Sequence, residues 1–110
     1  MRMSGTTQIS GSFHIGQIVV HRRFGYRGVI YDVDPRFMLS EEWYDRVALS
    51  RPPKDRPWYH VLVDNLDQTT YVAERNLESA QDRDPIRHRL IEIYFAPFNG
   101  GRYEPLKVRN

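Results

Sequence analysis

Arg22, Arg23 and Arg27, with His21 beside them, form a cationic knot within seven positions. Guanidinium groups on a turn offer charge and forked hydrogen bonds to phosphate, which gives salt-dependent affinity for a nucleic-acid backbone without reading its sequence. The competing reading is a solvated turn whose arginines pair with acids such as Asp32 or Asp34. A second group is Trp58, Tyr59 and His60, with Tyr71 further along. Exposed on a sheet, such rings stack on bases or hold an extended peptide. Turned inward they fill a core, with His60 satisfied by a hydrogen bond, and a small barrel needs that bulk. Trp43, Tyr44 and the Pro52-Pro53 segment would add an apolar patch suited to a protein partner.

Metal and catalytic chemistry finds less support. Asp32 and Asp34 lie two apart, hence on one face of a strand, where two carboxylates hold a hard cation only with further ligands that the sequence does not supply. His14, His21, His60 and His88 lack zinc spacing, and there is no cysteine to provide a thiolate. No nucleophile motif surrounds the serines, and the glycines do not form a phosphate loop. The expectation is a protein without metal, cofactor or catalysis.

The elements that must position these groups are organised around the run 57–64, Pro-Trp-Tyr-His-Val-Leu-Val-Asp, which reads as a central strand. Trp58, His60 and Leu62 point to one face and Tyr59, Val61 and Val63 to the other, so both faces need a cover. A small sheet closing on itself provides it. Gly16 to His21 and Val29 to Asp34 read as two antiparallel strands joined through a glycine-containing turn, with Pro35 as the stop. Ser40, Glu41 and Glu42 offer an N-cap and an acidic first turn for a short helix carrying Trp43, Tyr44, Val47 and Ala48. The proline-rich stretch 50–57 is expected to be extended and exposed. Asn65-Leu66-Asp67 turns the central strand into a partner at 68–73, and 74–78 reads as a turn leading into a last short strand or a return over the barrel rim. Asp84-Pro85 then predicts a helix whose Ile86, Leu90, Ile93 and Tyr94 lie against the barrel, with a strand over Leu90 to Phe95 as the competing reading.

With 110 residues, 40% hydrophobic and 27% charged, the chain forms one domain with one core. The 16 bases and 14 acids leave a net charge of only +2, so charge alone argues weakly for nucleic acid. No apolar run approaches the roughly 18 residues that span a bilayer, and the first twelve residues lack the apolar core of a secretory signal. A cytoplasmic location without membrane contact is expected.

Three stretches occur together in order: 13–21, from Phe13-His14-Ile15-Gly16 to Val20-His21; 24–35, from Phe24-Gly25-Tyr26-Arg27-Gly28 to Val33-Asp34-Pro35; and 57–63. With Tyr71-Val72-Ala73-Glu74 as a later match, residues 13–77 resemble the hemimethylated DNA-binding, or YccV-like, family, whose best known member is a heat shock protein. The resemblance implies an SH3-like, strongly bent β-barrel and no enzymatic activity. It also implies binding to hemimethylated double-stranded DNA, linked to replication initiation, and modulation of the Lon protease or its substrates in heat stress. Expected boundaries are a tail at 1–12, the SH3-like domain at 13–80 and an extension at 81–110 packing on the barrel. The candidate DNA contacts are Arg22, Arg23 and Arg27. The candidate partner contacts are Trp43, Tyr44, Trp58, His60 and Tyr71. Gly16 to Val29 is also loosely similar to a Tudor-like module that docks on RNA polymerase, against which the long connection and the aromatic strand argue. Self-association into a homo-oligomer would cover the sheet edges.

Overall fold

The computed structural model describes residues 12–106, so apart from Ser12 the expected tail lies outside the described residues. Five strands form one antiparallel sheet: β1 (Ile18–His21), β2 (Arg27–Asp34), β3 (Trp58–Val63), β4 (Thr69–Ala73) and β5 (Leu77–Ser79), in the spatial order β4-β3-β2-β1-β5. A 3-10 turn at Glu74–Asn76 carries the chain from β4 to β5, from one edge to the other. A five-stranded sheet bent back in this way is the small SH3-like barrel expected from the sequence.

Strand β3 is central and buried on both faces, as its composition requires. On the concave side, Tyr59 and Val61 join Val19, Ile30, Val72 and Leu77. The convex side has two separate covers. Over Leu62, Val29 and Ile18 lie Ile86, Phe95 and Tyr103 from the C-terminal segment. Over Trp58 and Ala73 lie Phe37, Tyr44 and Ala48 from the long connection. Between the two covers the sheet is polar, and there sits His60.

The long connection contains helix α1 (Glu41–Val47), capped by Ser40, whose hydroxyl accepts from the Trp43 amide at 3.1 Å. Seven residues do not hold a helix by themselves in water. Tertiary contacts hold this one: Tyr44 is buried, and its hydroxyl donates to the Pro52 carbonyl at 2.6 Å. The stretch 50–57 has no helix or strand, as expected, yet it is not uniformly exposed. Pro52 is buried, and the Pro53 carbonyl accepts from the Trp58 indole at 3.0 Å.

The C-terminal segment departs from the expected helix. Only Ile91–Tyr94 (α2) is helical, and neither the long helix nor the competing strand forms. The backbone of Arg87 is otherwise engaged: its carbonyl accepts from the Asn65 amide and its amide donates to the Asp64 carboxylate, while the His88 ring bonds the Gln68 carbonyl through Nε2. These bonds to the β3–β4 turn compete with the i to i−4 ladder. Ile86 is consequently buried, whereas Ile93, placed by periodicity on the same stripe, is 63% exposed.

Candidate functional site

The β1–β2 turn is shaped by His21, a buried imidazole. Its Nδ1 accepts from the Arg23 and Phe24 amides, both at 3.1 Å, and its ring stacks on Phe24. Gly25, with φ +77°, completes the reversal. The arginines of the cationic knot separate on this frame. Arg23 is exposed and makes no ion pair among the described residues. Arg22 meets Glu78 at 3.6 Å and donates through Nε to the Leu77 carbonyl. Arg27 points elsewhere: its guanidinium bonds Asp64 at 2.8 Å, Asp82 at 2.7 Å and the Asp84 carbonyl at 2.6 Å. Arg22 and Arg27 do find acids, though not Asp32 or Asp34, and Arg23 finds none among the described residues.

Cations that the sequence keeps apart join this end of the barrel. The Arg22 amide donates to the Asn76 carbonyl, Asn76 reaches the Ser50 hydroxyl, and Arg75 donates to the Ser50 carbonyl at 2.7 Å. Three loops are stitched together, which brings Arg75 to the end that carries Arg22; Arg22 pairs with Glu78, while Arg51, next to Ser50, bonds Asp45 and lies over the Tyr44 ring. No local pattern signals this, since it depends on contacts 25 or more residues apart.

The His21 arrangement also makes a pH prediction. Accepting two amides requires Nδ1 to be unprotonated, and burial followed by the neighbouring Arg23 charge lowers its pKa below 6.5. The unfolded chain therefore binds the proton first, and stability, complete above about pH 6.5, falls as pH drops toward the lowered folded value. One such group contributes a slope of at most about 1.4 kcal/mol per pH unit. Urea titrations at pH 7.5 and 5.5 should show this loss, and His21→Phe should reduce it; an NMR titration midpoint for His21 at or above 6.5 would overturn the assignment.

The second group gathers in the polar gap between the two convex covers. Asp34 accepts from the Tyr71 hydroxyl at 2.7 Å and lies 3.1 Å from His60 Nε2, while Tyr71 in turn accepts from the Met38 amide. Burial, and then the bond to Asp34, push the Tyr71 phenol above its ordinary pKa, so it remains a donor at neutral pH. Asp32 completes a set of three potential ligands with Asp34 and His60, all within 4.8 Å of one another. His60 is thus the third donor absent from sequence spacing alone. The carboxylates are already engaged, however: Asp34 as above, and Asp32 by the Val33 amide at 2.9 Å.

Of the aromatic candidates, Trp58 is 1% exposed and Tyr44 is buried, so both serve the core. Trp43 and Tyr71 are half-buried and pack edge to face at 5.6 Å. With His60 they line a groove of about 730 Å3 beside β4, whose other wall includes Phe24 and Tyr26. Among the described residues, no helix is long and apolar enough to cross a membrane.

The family model described as hemimethylated DNA-binding protein, YccV-like, matches residues 11–102, thereby taking in the C-terminal cover as well as the sheet. That family is one of DNA-binding, non-catalytic domains. Matched over most of its length, this chain belongs to the YccV-like hemimethylated DNA-binding family.

Proposed function

We propose that the protein is a non-catalytic, cytoplasmic binding protein of the HspQ type, which holds duplex DNA through the β1–β2 end of the barrel and prefers the hemimethylated state, in the service of replication-initiation control. The observation that carries this reading is the exposed Arg23, without an ion pair among the described residues, next to Arg22 on the β1–β2 turn, with Arg75 tied to that end through the Asn76 and Ser50 hydrogen bonds. Arg27 does not belong to the contact set, because its fork is occupied by Asp64, Asp82 and a carbonyl. Two or three phosphate contacts give a slope of log K against log salt of about −2 to −3. Titration of hemimethylated, fully methylated and unmethylated duplexes of one sequence, at two salt concentrations, tests it. Tightest binding to the hemimethylated duplex is expected, with Arg23→Ala reducing the slope by about 1. Equal affinity for all three duplexes, or affinity indifferent to salt, would overturn the reading.

A second reading is action on the Lon protease or its substrates during heat stress. The apolar groove beside β4 favours it, since a purely DNA-binding surface has no use for exposed Phe24 and Leu49.

A further inference from the structure

Strand β4 lies at an edge of the sheet, and two hydrogen bonds fix which of its residues turn toward β3. The Val63 amide donates to the Gln68 carbonyl and the Glu74 amide to the Pro57 carbonyl. Residues 68, 70, 72 and 74 therefore face β3, and the amides and carbonyls of Thr69, Tyr71 and Ala73 point away from the sheet. Among the described residues Thr69 and Tyr71 make no further backbone hydrogen bond, whereas the Ala73 carbonyl caps the 3-10 turn at Glu74–Asn76 and Ala73 is only 3% exposed, so the open edge is at Thr69 and Tyr71. The groove of about 730 Å3 is lined by every residue from Thr69 to Ala73. A depression on a sheet face is lined by alternate residues, so one lined by five in succession follows the edge.

The walls are apolar, and several of their side chains are unusually open: Phe24 is 74% exposed on one side and Leu49 78% on the other. An uncovered edge between apolar walls is a liability that proteins normally blunt with charge, a bulge or a cover. Of the residues lining the groove, Arg23 alone carries a formal charge, and none is acidic. The potential at that end is therefore positive, and a carboxylate is its complement.

We propose that this groove takes an extended peptide, apolar at alternate positions and bearing a carboxylate near Arg23, which adds to β4 as a sixth strand. Its backbone exchanges hydrogen bonds with Thr69 and Tyr71, and its apolar side chains meet Phe24 on one wall and Trp43, Val47 and Leu49 on the other. The proposal rests on neither reading above, because an unpaired strand edge selects for polypeptide backbone whatever the DNA affinity.

The probe is an acetylated heptapeptide, Thr-Val-Thr-Val-Thr-Val-Asp with a free C-terminus, and its copy N-methylated at alternate residues, each added to the full chain. Amide hydrogen exchange at Thr69 and Tyr71 should slow at least ~10-fold at saturation, with smaller effects at Thr70 and Val72, which are already paired. The N-methylated copy should bind at least ~10-fold more weakly, the equivalent of one or two lost hydrogen bonds. Leu49→Glu, on an exposed loop, should weaken binding several-fold, on the order of one buried apolar contact, without lowering Tm. No slowing at those two amides with millimolar peptide, or equal binding of the two peptides, would overturn the proposal. Protection that rises with protein concentration in the absence of peptide would overturn it too, by assigning the edge to a second copy. Titrating the same preparation with duplex DNA separates the two activities, since peptide binding is expected even where DNA binding fails.

Discussion

Replacement of Arg27 by alanine is expected to destabilise the fold by about 2–4 kcal/mol, somewhat less than the ~3–5 kcal/mol typical of breaking a fully buried pair. Its side chain and that of Asp64 are only 20% and 13% exposed. One guanidinium ties the start of β2 to Asp64 beyond β3, to Asp82 and to the Asp84 carbonyl. Without it, Asp64 keeps the Arg87 amide but loses its counter-charge, and the 82–84 segment loses its anchor. Lysine should rescue only in part, because one ammonium does not reproduce a fork directed at three acceptors. The check is urea unfolding of the wild type, Arg27→Ala, Arg27→Lys and Arg23→Ala, with the last expected within about 0.5 kcal/mol of wild type as an exposed surface change. Wild-type stability for Arg27→Ala would mean that the fork contributes nothing, and would return Arg27 to the set of residues available to DNA.

The second large effect is expected at Gly16. This residue has φ +92°, and a Cβ built on it would lie 2.0 Å from the Tyr103 carbonyl oxygen. Its amide donates to Ile30 and its carbonyl accepts from Tyr103, so it joins the sheet to the C-terminal cover. Tyr103 in turn holds Ile86 through its hydroxyl, at 2.8 Å from the Ile86 amide. Gly16→Ala adds left-handed strain to a backbone collision that no side-chain rotation relieves, together about 2–4 kcal/mol. Loss of protection in amide exchange should concentrate at 86–103 and its contacts Ile18, Val29 and Leu62. Gly25→Ala is the control: it has φ +77° but open space around it, so only the conformational cost of roughly 1–2 kcal/mol applies. Equal losses for the two variants would show that the contact with Tyr103 is not what requires glycine at position 16.

Much of the fold is legible in residues close together in the chain. The two-residue alternation of Trp58 to Val63 correctly places Tyr59 and Val61 on one side, Trp58 and Leu62 on the other. Ser40 caps α1, and Asn65, at φ 68°, turns β3 into β4 as its residue type suggests. The sequence of three motifs likewise pointed to the family that the match over residues 11–102 shows. Periodicity failed after Asp84, where Ile86 and Ile93 share a helical stripe in sequence but the backbone bonds to the β3–β4 turn instead.

What local patterns determined, then, is the set of strands, the helix cap and the demand that both faces of β3 be covered, because each depends on neighbours within a few residues. The tertiary structure alone decided where the polar groups go. A register shift between Ile30 and Asp32 changes which face the later residues of β2 present. Ile30 faces the concave core, and unbroken alternation would have sent Asp32 and Asp34 there with it, as carboxylates buried without partners. The shift instead sets Asp32 opposite His60 and directs both acids outward, so that Asp34 meets His60 and Tyr71. Arg27 and Arg75 likewise owe their surroundings to residues 25 to 57 positions away. Charge and hydrogen-bond partners at that separation are set by how the sheet bends and what covers it, which a reading of adjacent residues does not contain.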